Sequence, residues 1–153
     1  MDKIDRKILA ELQSDGRLSV TELADRVGLS LSPCHRRVRA LEQSGAIRGY
    51  RARLDPGTLG LNFSAIVFVT LHEGDRRAVE SFEAAVVQLP QVVEAQRLFG
   101  DPDYLLRVIT PDLPAFQQLY DQQLSALPSV RRLMSTLVMK SVVEDRPLPL
   151  SAK

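Results

Sequence analysis

The sequence predicts an α+β protein in two parts, three short helices followed by a βαββαβ unit. Three observations lead there. Apolar residues recur at helical spacing through the first third, a Pro/Gly-rich break falls at residues 55–62, and beyond it apolar runs of strand length alternate with helical patterns. With 153 residues, 44% of them hydrophobic, the chain is long enough for two small domains, each with its own core.

Each element has its own signal. Asp2 is a candidate N-cap for a helix whose stripe is Ile4, Ile8 and Leu12, widened by Leu9 and closed by Gly16. Ser19 and Glu22 have the spacing of a capping box ahead of Leu23, Ala24 and Val27, and Gly28 stops this second helix. After the turn GLSLS, the stretch SPCHRRVRALEQSG opens a third. A residue before proline avoids the helical region, so Ser32 is expected as N-cap and Pro33 at the first helical position. Cys34, Val38, Leu41 and Gly45 then share the inward side, while Ser32, Arg36, Arg39 and Gln43 cluster outward with His35 between them and Arg37 flanking. The following AIRGYRARLD alternates like a strand, with Tyr50, Ala52 and Leu54 on one face and Arg51 and Arg53 on the other.

The break DPGTLGLN separates two modules: residues 1–54, then a linker at 55–62, a second module at 63–145, and a C-terminal tail at 146–153. FSAIVFVTL is a strand apolar on both faces. Ala78, Val79, Phe82, Val86 and Leu89 mark a helix ended by Pro90; VVEAQRLF, GDPD and YLLRVI read as strand, turn and returning strand. A helix between Asp112 and Pro128 and a long final strand, VRRLMSTLVMKSVV, complete a split βαβ, ferredoxin-like order. Two helices cover one face of such a sheet. The apolar character of the other face asks for a second copy of the chain.

The whole chain has 20 basic and 19 acidic residues, so its overall charge names no partner. The distribution does. Residues 1–54 hold eleven Lys or Arg against seven acids, and Gly28 to Leu54 holds six arginines against Glu42 alone. No apolar run approaches the roughly 20 residues of a membrane span, and the opening MDKIDRKI is charged rather than signal-like, so a cytoplasmic protein without membrane contact is expected. One cysteine excludes an intrachain disulfide and a cysteine-based metal site; Cys34, on the inward side, reads as a core thiol. His35 and His72 lie in different modules, and there is no nucleotide-binding glycine loop, HExxH or GxSxG, so neither a metal nor catalysis is expected.

A glycine turn before a third helix with a basic outer face describes a helix-turn-helix, which lays that helix in the major groove of double-stranded DNA. Arg, His, Ser and Gln can hydrogen-bond base edges, and the helix start at Ser32 and Pro33 can meet a phosphate. In MDKIDRKILAELQSDGRLS, ELADRVGLS, SPCHRRVRALEQSGAI and GDPDYLL the chain resembles the Lrp/AsnC family of transcription regulators, in the right order and over nearly its whole length. The resemblance implies a winged helix-turn-helix, a ligand-sensing βαββαβ domain, homodimers that often assemble into octamers, and an amino acid or related effector bound between subunits, with no other cofactor. Carried over, the DNA-binding set is Ser32, Pro33, His35, Arg36, Arg37 and Arg39, with Gln43 added from the outward face. The effector set is Gly100, Asp101, Asp103 and Tyr104, faced by a wall at Ser135, Thr136, Leu137 and Val138. Carboxylates in the turn could hold an ammonium group, amides near Gly100 a carboxylate, and Leu137 or Val138 an apolar side chain, which favours an apolar amino acid. One departure from the family pattern is Pro102, where an aromatic or polar residue is common; it fixes the backbone and removes an amide donor. Two other readings stand beside this one. An architectural DNA-wrapping protein would ignore small molecules, and a sirohaem decarboxylase, with the same two-module arrangement, would line a pocket with histidines.

Overall fold

The computed structural model describes residues 1–72 and 75–150. The chain forms two compact units, one from Met1–Arg53 together with 142–150, the other from Leu54–Ser141.

The first unit contains α1 (Lys3–Ser14), α2 (Val20–Val27) and α3 (Leu31–Gln43). The expected N-cap at Asp2 and capping box at Ser19 both form, and Asp5 makes the first a capping box too. Asp2 accepts the Asp5 amide at 2.8 Å and Asp5 accepts that of Asp2 at 2.9 Å; Ser19 and Glu22 repeat the exchange at 3.2 and 2.8 Å. Each satisfies amide donors that a helix start leaves without intrahelical partners. Gly28, at φ 75°, takes the left-handed step that ends α2. Ile8, Leu23, Ala24, Val27, Cys34, Val38 and Leu41 bury one face of each helix in a common core.

Three expectations for this unit need correction. Helix α3 begins two residues earlier than proposed: Ser30 is the N-cap, without a side-chain cap bond, and Pro33 sits third in the helix. Proline is tolerated there because amides of the first turn have no intrahelical acceptor; the first amide to close the ladder is that of Cys34, to the Ser30 carbonyl at 3.2 Å. Gly45 is exposed rather than inward, at φ 74° just beyond the helix, where it turns the chain away. The segment Ala46 to Asp55 forms no strand, because no other described segment offers it a ladder and a lone strand leaves its backbone groups to water. The C-terminal segment supplies the last part of this unit: the Gln13 side chain accepts from the Leu148 amide at 2.7 Å and donates to its carbonyl at 3.4 Å, and Arg53 meets Asp145 at 3.1 Å.

The second unit has the expected order: β1 (Phe63–Leu71), α4 (Arg76–Val86), β2 (Val92–Arg97), β3 (Tyr104–Thr110), α5 (Leu113–Leu119), a π-helical turn (Tyr120–Leu124), and β4 (Val130–Leu137). The strands form one antiparallel sheet in the order β2-β3-β1-β4. Alternation places Ala65, Val67, Val69 and Leu71 of β1 and Tyr104, Leu106 and Val108 of β3 beneath Val79, Phe82, Val86, Phe116 and Leu119. On the reverse face Ile66, Phe68, Leu105 and Ile109 remain only partly buried, and Met134 is half exposed. The final strand is shorter than its apolar pattern suggested. It ends at Leu137, one residue before a last bond from the Val138 amide to Ser64, because β1, its only partner among the described residues, starts at Phe63.

Candidate nucleic-acid interface and ligand cleft

Burial on α3 divides its side chains cleanly. Cys34, Val38 and Leu41 are buried; Ser32, His35, Arg36, Arg39 and Gln43 are exposed; Pro33 and Arg37 lie between. Among the described residues Arg36 and Arg39 form no ion pair with this chain, so their guanidinium groups remain available to an anion. Arg37 does not: its Nη1 donates to Asp2 Oδ2 and Asp5 Oδ1, both at 2.7 Å. The Asp2 carboxyl is held below its ordinary value, first by the Asp5 amide and then by this guanidinium. Pro33 supplies no amide, which leaves those of Leu31 and Ser32 as the donors of the first turn. Burial pushes the Cys34 thiol up, away from the thiolate a redox sensor needs. Exposed arginines, a histidine, a serine and a glutamine on one helical face match the hydrogen-bonding pattern of major-groove edges.

In the second unit a cleft of about 490 Å³ opens at the β2–β3 turn, with Leu71, Val79, Arg97, Phe99, Gly100, Asp103 and Tyr104 around it. Gly100 has φ 124°, a backbone that side chains resist, and the turn is closed by a bond from the Leu98 amide to the Asp103 carbonyl at 2.8 Å. Asp103 Oδ2 accepts the Leu71 amide at 2.8 Å, so this carboxylate anchors the turn to the end of β1. Asp101 is exposed, accepts from the Thr70 hydroxyl at 3.1 Å and lies 3.6 Å from Arg132. Tyr104 is 3% exposed; its ring packs 4.6 Å from that of Phe82 and its hydroxyl donates to Glu83 at 2.8 Å. Burial first, then Glu83, pushes that hydroxyl up to about 12, so it stays protonated and remains a donor.

The register separates the two halves of the expected effector set within one chain. Tyr104 pairs with Val69, and Val69 with Leu133. Ser135 to Val138 therefore lie two to five residues farther along, about 7–17 Å from the level of the turn at ~3.4 Å per residue. They do not form one wall, either. Ser135 and Leu137 are opposite Val67 and Ala65 on the helix-covered side, whereas Thr136 pairs with Ile66 on the other. Ser135 borders a different hollow, with Phe116, Tyr120 and Asp121. The residue that sequence reasoning missed is Arg97. Folding the hairpin about GDPD sets Arg97 opposite Tyr104, a pairing that could have been counted from the turn.

A helix-turn-helix with an unpaired basic face, joined to a ferredoxin-like unit with a polar cleft, defines a ligand-binding, DNA-binding transcription regulator. Comparison with known proteins gives the particular family. Residues 1–48 match the winged helix-turn-helix DNA-binding family and residues 64–148 the Lrp/AsnC ligand binding domain. The chain belongs to the Lrp/AsnC family of transcription regulators. It is 42% identical over 153 residues to the leucine-responsive regulatory protein of Salmonella typhimurium, covering all of this chain and 93% of that one. Among solved structures it is similar to a transcriptional regulator of Neisseria meningitidis in complex with L-methionine, at 38% identity and a TM-score of 0.92 over 98% of this chain and 97% of the other. An AsnC family regulator from Agrobacterium tumefaciens gives 37% and 0.91, over the same shares. Among the described residues no helix is long and apolar enough to cross a membrane, and no group of three or more His, Cys, Asp or Glu is placed to hold a metal ion.

Proposed function

We propose that the chain is a cytoplasmic, homodimeric regulator, not an enzyme, in which α3 reads the major groove and the cleft at Gly100–Tyr104 takes an apolar amino acid. The observation that carries this is the selective pairing of charge on α3: Arg36 and Arg39 are left open beside Ser32, His35 and Gln43, while Arg37 is bound within the protein. In the cleft, Arg97 offers a cation to the carboxylate, Asp103 an anion to the ammonium group, and Leu71 and Val79 an apolar wall. The methionine held by the Neisseria relative and the leucine response named for the Salmonella one favour the same ligand class. Ser135, Thr136, Leu137 and Val138 would reach such a ligand only from a second copy. The partly exposed reverse face of the sheet supports that pairing, and octamers would be dimers assembled further.

The test is calorimetry of the full-length protein with each of the twenty amino acids, followed by titration of a duplex selected by the protein from a random-sequence pool. Saturable heat with apolar amino acids and a shift in DNA affinity are expected, since an effector acts only through differential affinity for two states. No heat and no shift with any of them would favour the architectural reading.

A further inference from the structure

The Arg37 network is closed in a way that surface ion pairs seldom are. Asp2 Oδ1 accepts the Asp5 amide and Asp2 Oδ2 the Arg37 guanidinium; Asp5 Oδ2 accepts the Asp2 amide and Asp5 Oδ1 the same guanidinium. All four carboxylate oxygens are thus engaged, and one arginine of α3 completes the cap of α1. The Arg37 side chain is 32% exposed and that of Asp5 17%, so the pair is partly withdrawn from solvent screening. Arg36 and Arg39, on the same helix, have no such partners.

We infer that Arg37 is a positioning residue: it fixes α3 against the N-terminus of α1 and thereby sets the direction in which Arg36 and Arg39 face, without itself contacting DNA. This rests on α3 being the helix that reads DNA. It makes a counter-intuitive demand on the two acids. Negative charge beside a DNA-binding helix repels phosphate, so deleting an acid normally strengthens binding. If Asp2 and Asp5 hold Arg37, and Arg37 holds the helix, deleting them weakens binding instead.

The experiment measures affinity and its salt dependence for the full-length protein on a duplex selected by the wild type from a random-sequence pool. It compares Arg37→Ala, Asp2→Ala with Asp5→Ala, and the triple variant, with Arg36→Ala as the control. Arg37→Ala and the acid pair are each expected to weaken binding by about tenfold, as for residues coupled in one network, with the salt slope unchanged and the triple variant no weaker than Arg37→Ala. Should the alanine variants lose their helical signal, Asp5→Asn keeps the shape and carries the same expectation of weaker binding. A slope lowered by about one in Arg37→Ala is the mark of a phosphate contact, and it would overturn the inference, as would unchanged or tighter binding without the acids. If Arg36→Ala left both affinity and slope untouched, the fault would lie with the assignment of α3 rather than with Arg37.

Discussion

The two units differ in how they divide side chains between core and function. Among the described residues, a core cluster of seven buried residues holds the N-terminal unit together, and the largest are aliphatic. The core cluster of the second has fourteen, including Phe82 and Tyr104 with ring centroids 4.6 Å apart. Charge is handled differently as well. Helix α3 leaves Arg36 and Arg39 open to an external anion, while the acids at the cleft are tied within the protein, Asp103 to the Leu71 amide and Glu83 to the Tyr104 hydroxyl. A small helical unit can expose a reading face because its capping boxes and one ion-pair network order it locally. A cleft needs walls that do not move, and the larger core supplies them.

The strongest challenge to that contrast is a cavity in the larger core. Phe82→Ala should cost about 3–5 kcal/mol, read by denaturant unfolding, with faster hydrogen exchange confined to residues 63–137. Exchange accelerating equally in α1 to α3 would show that the two units unfold as one. In the smaller core Leu23→Ala should cost about 2–5 kcal/mol and abolish DNA binding, while exchange in the sheet stays slow. The open charges come next: Arg36→Ala or Arg39→Ala should weaken DNA binding by about 1–3 kcal/mol for a base contact, or lower the salt slope by about one for a phosphate contact. Neither should change the unfolding midpoint.

Smaller effects sharpen the local side of the comparison. Ser19→Ala removes the acceptor for the Glu22 amide and should cost about 1 kcal/mol in thermal unfolding. Asp2 and Glu22 are both held below their ordinary values, Asp2 first by the Asp5 amide and Glu22 first by the Ser19 hydroxyl. A depressed carboxyl stabilises the fold above its unfolded value, about pH 4, and that contribution is lost as pH falls through the lower folded value. Circular dichroism should therefore show helix loss beginning below about pH 4, and Asp2→Asn with Glu22→Gln should flatten the decline.

Much of this architecture was legible in the order of residues. Caps at Asp2, Ser19 and Asp112 act on amides three positions away, and helical or alternating periodicity marks each buried face, so α1, α2, α4, α5 and the four strands could be read directly. The outward set on α3 followed from the same geometry, even though proline tolerance in the first turn moved the cap to Ser30. What only the tertiary structure decided lies in contacts between distant positions. Arg37 looks like its neighbours in sequence, but packing of α3 on α1 brings it to acids 35 and 32 positions away. Leu148 meets Gln13 across 135 positions. Strand register, set by how two faces fill one core, moved Ser135–Val138 away from the turn and brought Arg97 opposite Tyr104. The expected strand at 46–54 failed for the same reason in reverse: alternation prepares a strand, and only a partner's backbone completes one.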